Sequence, residues 1–73
     1  MDRKKLEAKL IRADKRVVLG EKRLARQREF VLGLEGLGNN TSAARALLEK
    51  LEKIQAIRIE HRDALLRELD ELR

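Results

Sequence analysis

The chain contains no cysteine and no proline, and only one histidine and one aromatic residue, Phe30, among its 73 residues. Each shortage closes off a class of function. Without cysteine there is no disulfide, no thiolate metal site and no thiol nucleophile. A lone histidine leaves a zinc site dependent on carboxylates, a poor donor set for that ion. No cofactor is implied. Catalysis lacks materials as well, since Ser42 has no base near it in sequence, and the chain reads as a non-enzyme. The missing Trp and Tyr remove the stacking groups of single-strand binders and the interfacial anchors of membrane-surface helices, which disfavours a membrane partner. The N-terminal Met1-Asp2-Arg3-Lys4-Lys5 runs into mixed polar sequence, with no apolar stretch fit for a signal peptide or a span. A cytoplasmic protein is the expectation.

What is present is equally uneven. Apolar residues make up 42% of the chain and charged residues another 42%, the composition of long helices and coiled coils. So much charge also suits disorder, but Leu, Ile and Val recur here at helical spacing. A core from fewer than about 70–80 residues stabilises a fold by only a few kcal/mol, and small chains add disulfides, metals or self-association. Only association is open to this one.

The first periodic run, about residues 2–37, carries Leu6, Leu10, Ala13, Val17, Gly20, Leu24, Gln27, Val31 and Leu34. Their spacing alternates four and three, as a helix-packing seam requires. A second apolar row, Ile11, Val18, Ala25 and Leu32, follows the first around the helix by about 100°. The apolar face is thus wider than one partner helix covers. Glycines at 36 and 38 provide a helix stop, Asn39 and Asn40 tolerate turns, and Thr41 or Ser42 serves as the next cap. The turn is placed at about 38–41, and so short a connection forces antiparallel neighbours.

The second run, about residues 42–73, continues the frame through Leu47, Leu51, Ile54, Arg58, His61, Leu65, Glu68 and Leu72, broadened by Leu48, Ile57, Ile59, Leu66 and Leu69. Folding about the loop places Val31 near Leu48, Leu24 near Ile54 and Gln55, and Leu10 near Leu69. Gly20 and Val17 then meet Arg58, Ile59 and His61, so that apolar ends flank a small, polar centre. The expected fold is all-α: residues 1–73 form one antiparallel helical hairpin that dimerises into a four-helix bundle. The candidate self-association face is Ile11, Val18, Ala25, Leu32, Leu48, Ile59, Leu66 and Leu69.

Charge is lopsided along the chain. Residues 1–37 hold eleven Lys/Arg against six Asp/Glu, while residues 38–73 hold seven of each. Lys15-Arg16 and Lys22-Arg23 repeat at seven residues with Lys9 nearby, so Lys9, Lys15, Arg16, Lys22 and Arg23 form a candidate nucleic-acid face that would neutralise phosphates. The bland alternative is a solvated face paired locally with Glu7, Asp14, Glu21 and Glu29. The heptad-spaced Glu7, Asp14, Glu21 and Glu35 read as seam-edge ion pairs, because no Glu-x-x-His motif accompanies them. His61 falls at a seam position, within a polar layer with Gln27, Gln55 or Arg58. The glycines of 33–38 follow no strand and precede no Gly-Lys-Ser/Thr, so they terminate a helix and cradle no phosphate.

Four segments carry a resemblance: Gly20 to Arg28, the reversal Gly38-Asn39-Asn40-Thr41, Ala46-Leu47-Leu48, and His61 to Leu66. Together they resemble short hypothetical proteins of alphaproteobacteria, rhizobial ones especially. The resemblance implies a small bacterial helical protein and brings no assigned activity. The hairpin is also similar in architecture to the plasmid-encoded RNA-binding Rop protein, a dimeric four-helix bundle, an analogy of fold alone. The expected function is a non-enzymatic module for self-association or docking to a partner protein. The alternative is nucleic-acid binding through the basic side of the first helix.

Overall fold

The structure, a computed structural model, describes residues 2–72. Two helices, α1 (Arg3–Gly36) and α2 (Ser42–Glu71), lie antiparallel along each other in a rod with extents of 54 × 14 × 13 Å. At about 1.5 Å per residue, α1 alone spans nearly the whole long axis.

Local chemistry sets the helix ends. Asp2 caps α1, its carboxylate accepting from the Lys4 N–H at 3.1 Å, which satisfies one of the donors a helix start leaves open. At the other end Asn39 N–H donates to Leu34 O at 2.9 Å and Gly38 N–H to Glu35 O at 3.0 Å. Gly38 has φ +71°, so these bonds form a Schellman closure. Of the two glycines expected to stop α1, Gly38 does so and Gly36 remains helical. Thr41 occupies the N-cap position of α2 without a side-chain cap bond. Asn40 supplies the capping oxygen instead, accepting from Ser42 N–H at 2.9 Å. Asparagine's short amide suits this Asx-turn geometry.

The seam of α1 matches its sequence frame position by position. All nine frame residues from Leu6 to Leu34 are buried or half-buried, and every other described residue of α1 is exposed. The seam of α2 is displaced by one residue over much of its length. It runs through Ala44, Leu48, Leu51, Gln55, Arg58, Arg62, Leu65 and Leu69, all buried or half-buried, whereas Leu47, His61, Glu68 and Leu72 are exposed. His61 is therefore not a seam residue. Gln55 and Arg62, polar residues one position beyond Ile54 and His61, take seam places because their polar ends reach α1.

Gln55 is the buried polar residue at the centre, 4% exposed. Its amide donates to Val17 O at 2.9 Å and to a Glu21 carboxylate oxygen at 2.8 Å. The space it fills is the space Gly20 leaves. A Cβ on Gly20 would overlap the Gln55 carbonyl oxygen and come within 2.6 Å of its Cδ. Gln55 thus takes the place opposite Val17 and Gly20 expected of Arg58, Ile59 and His61. Arg58 and His61 instead flank Ala13 and Arg16, about one turn nearer the N-terminus of α1. At the open end, Leu6, Ala13 and Leu65 form a buried cluster with Leu10 and Leu69 against it. Near the loop, Val31 and Leu48 line one shallow hollow, and Gln27 donates to Ala44 O at 2.9 Å. Apolar ends around a small, polar centre are what the frame implied.

Candidate interaction surfaces

Two surfaces of α1 face away from its seam, and helical geometry separates them. Successive residues turn about 100°, so the row Ile11, Val18, Ala25 and Leu32 lies well round from the buried frame. Ile11, Val18 and Leu32 are 57%, 54% and 64% exposed, and Ala25 is exposed too. Ile11, Val18 and Leu19 share a shallow hollow with Asp14 and Lys15, formed entirely by α1. From α2, Leu66 is exposed, Leu48 and Ile59 are half-buried, and Leu69 packs within the hairpin's own core. Leu32 and Leu48 line the same hollow near the loop, so the row connects there to α2. Leu19, Phe30 and Leu37 are further exposed apolar side chains outside both rows, and Leu47 and Ile57, expected on the apolar face of α2, are exposed as well.

A charged row divides the seam from the outer apolar row. Glu7, Asp14, Glu21, Arg28 and Glu35 recur every seven residues and sit between the two on the helical circle. Three of them also tie the hairpin's edge together. Asp14 faces Arg62 at 3.7 Å, Glu35 pairs with Arg45, and Glu21 accepts from Gln55. Glu7 pairs with Arg3 on its own helix at 3.0 Å. Seam-edge pairing was expected of these carboxylates, and Glu21 differs only in meeting an amide. Arg62 also contacts Asp63 at 3.1 Å, and Arg45 donates to the Thr41 hydroxyl at 3.0 Å. The outer row is thus a separate stripe, not a widening of the core face.

The basic side chains have a different fate. Of the eleven lysines and arginines in residues 1–37, only Arg3 makes an ion pair among the described residues. Local pairing to Asp14 and Glu21 does not occur, because those carboxylates face α2. Lys9, Lys15, Arg16, Lys22 and Arg23 are all exposed, but they do not form one stripe. Lys15 borders the outer apolar hollow. Arg16 lies in a shallow cleft between the helices with Ala13, Ile57, Arg58 and His61. Lys9 and Arg23 stand seven residues on either side of Arg16, and so share its flank. Arg58 and His61 come to this flank from α2, beyond the candidate face expected on α1 alone.

Among the described residues no group of three or more His, Cys, Asp or Glu could hold a metal ion, and no helix is long and apolar enough to cross a membrane. Compared with protein families, curated proteins and solved structures, the chain finds no match.

Proposed function

We propose that the hairpin is a non-enzymatic interaction module that associates helix-to-helix through the outer face of α1. The observation that carries this reading is the exposure of Ile11, Val18 and Leu32 at heptad spacing, on a helix whose seam is already filled. Large apolar side chains scattered singly are ordinary on a surface, but a stripe along one helix is a docking geometry. Burying a Val, Leu or Ile side chain completely is worth about 1.5–3 kcal/mol, and these begin about half-covered. Association itself costs roughly 4–15 kcal/mol. The row therefore supports reversible, concentration-dependent association.

Sedimentation of the wild-type chain and of Val18→Lys across micromolar concentrations tests this. The wild type should gain mass with concentration and the variant should not, with equal helical circular dichroism. Two identical sedimentation profiles would remove the row from the function.

A second reading rests on the unpaired basic flank. Lys9, Arg16 and Arg23, with Arg58 beside Arg16, would follow a phosphate backbone by charge neutralisation. Binding to duplex RNA or DNA should then fall steeply with salt, and Arg16→Glu/Arg23→Glu should abolish it. Affinity indifferent to salt would count against this reading.

A further inference from the structure

We propose, building on the association reading above, that a second copy of this chain covers the outer row of α1, parallel and in register. The charges bordering the row carry the assignment. Three and four residues after each of Ile11, Val18 and Ala25 come Asp14 and Lys15, Glu21 and Lys22, and Arg28 and Glu29. On a helix, i+3 and i+4 lie on opposite sides of residue i. One border of the row is therefore Asp14, Glu21, Arg28, and the other is Lys15, Lys22, Glu29. At each of the three levels the two borders carry opposite charge, and the order of signs inverts at the third.

A two-fold axis parallel to the helices sets one border against the other border of the second copy at the same height. Asp14 then faces Lys15 of the second copy, Glu21 faces Lys22, and Arg28 faces Glu29, with each contact repeated by symmetry. Every border contact is complementary, and Ile11, Val18, Ala25 and Leu32 each meet their own equivalent. The antiparallel arrangement that also retains four apolar layers matches Ile11 with Leu32 and Val18 with Ala25. It places like borders together, so Asp14 meets Arg28 and Lys15 meets Glu29, but Glu21 meets Glu21 and Lys22 meets Lys22 at the axis. An antiparallel shift centred on Val18 sets Asp14 against Glu21 and Lys15 against Lys22. A shift centred on Ala25 sets Asp14 against Glu35 and forfeits the Ile11 layer. Only the parallel, in-register pairing keeps four layers without a like-charge contact, and like charges discriminate strongly between arrangements.

Asp14 and Glu21, both exposed, already meet Arg62 and Gln55 within the hairpin and would share those contacts with the second copy, while the other four border side chains are unengaged. Lys15, Lys22, Arg28 and Glu29 make no side-chain hydrogen bond or ion pair among the described residues. They are open to a partner. Because the charged row of α1 separates the seam from the outer stripe, the two hairpins would join back to back through α1 and would not share one central core.

Single-cysteine variants of the full chain test the arrangement under a glutathione redox buffer. Parallel register brings equivalent positions together as disulfide geometry requires. Val18→Cys alone and Ala25→Cys alone should each yield mostly disulfide-linked dimer, while Ala56→Cys, on the exposed surface of α2, should not. If neither row variant links to itself but their mixture links, the pairing is antiparallel and the proposal falls, although association survives. Equal linking by Ala56→Cys would mean random collision and would also overturn it. A wild-type chain monomeric to hundreds of micromolar would show that the occupant is not a second copy. If Val18→Lys then also left every other binding unchanged, the association reading would fall with it.

Discussion

Gly20→Ala and Gly33→Ala make the same chemical change on the same helix, yet they should shift stability in opposite directions. Alanine is favoured over glycine in a helix interior by about 0.8–1 kcal/mol. At Gly33 a Cβ would meet no heavy atom within 4 Å, so this gain should be realised in full. At Gly20 the Cβ would overlap the carbonyl end of Gln55. The amide must then leave its site, losing its bonds to Val17 O and Glu21. Two such bonds are worth roughly 2 kcal/mol net, and overpacking a tight contact costs about 1–3 kcal/mol. Eviction would also free the Gln55 carbonyl oxygen, which has no hydrogen-bond partner while buried, and that returns part of the loss. Gly20→Ala should therefore destabilise by about 1–2 kcal/mol after the propensity gain. For a chain of this size that is a fall in Tm of roughly 4–16 °C, against a rise for Gly33→Ala. Thermal melts followed by circular dichroism at one fixed concentration would measure both. A cycle with Gln55→Ala adds the decisive term, because Gly20→Ala should be harmless once the amide is gone. Equal stabilisation by the two alanines, with no coupling to Gln55, would refute the assignment of Gln55 to the space over Gly20.

Other substitutions probe the turn, the polar seam and the surfaces. Gly38→Ala should cost about 1–2 kcal/mol, since an L side chain is strained in the left-handed conformation that closes α1, and chemical denaturation would register it. Gln27→Ala removes the bond to Ala44 O and should cost about 0.5–1.5 kcal/mol in the same assay. Arg62→Ala should cost no more than about 1 kcal/mol, because Asp14 is largely exposed and exposed pairs contribute little. Val18→Lys should abolish concentration-dependent association while leaving the monomer's helicity and urea m-value unchanged.

Much of the hairpin was legible in the residues, for identifiable reasons. The nine-residue seam of α1 was readable because its apolar members are regular and its two exceptions, Gly20 and Gln27, fall in the same frame. The seam of α2 was not, because two of its members, Gln55 and Arg62, are polar residues that work through specific contacts across the hairpin. Hydrophobic periodicity cannot rank Gln55 above Ile54 or Arg62 above His61. The identity of the cap was similarly ambiguous, since Asn40, Thr41 and Ser42 all offer suitable oxygens. The candidate association row was visible as a pattern, and its exposure follows from how little of α1 a single helix covers. The role of the basic residues was harder to read, because ion pairing depends on where the carboxylates of α1 turn.

The sequence by itself determined two helices, their antiparallel return at Gly38–Thr41 and a seam with apolar ends around a weak centre. These follow from short-range rules: helical periodicity, the absence of proline, and glycine's access to positive φ. Only the tertiary structure decided which face of α2 meets α1, that Gln55 fills the space over Gly20, and that Asp14, Glu21 and Glu35 turn toward the other arm. Those outcomes depend on the fit between side chains far apart in the chain, where one residue's missing Cβ makes room for another's amide. The same long-range fit leaves the α1 lysines and arginines, apart from Arg3, without ion-pair partners among the described residues, and leaves its outer apolar row exposed.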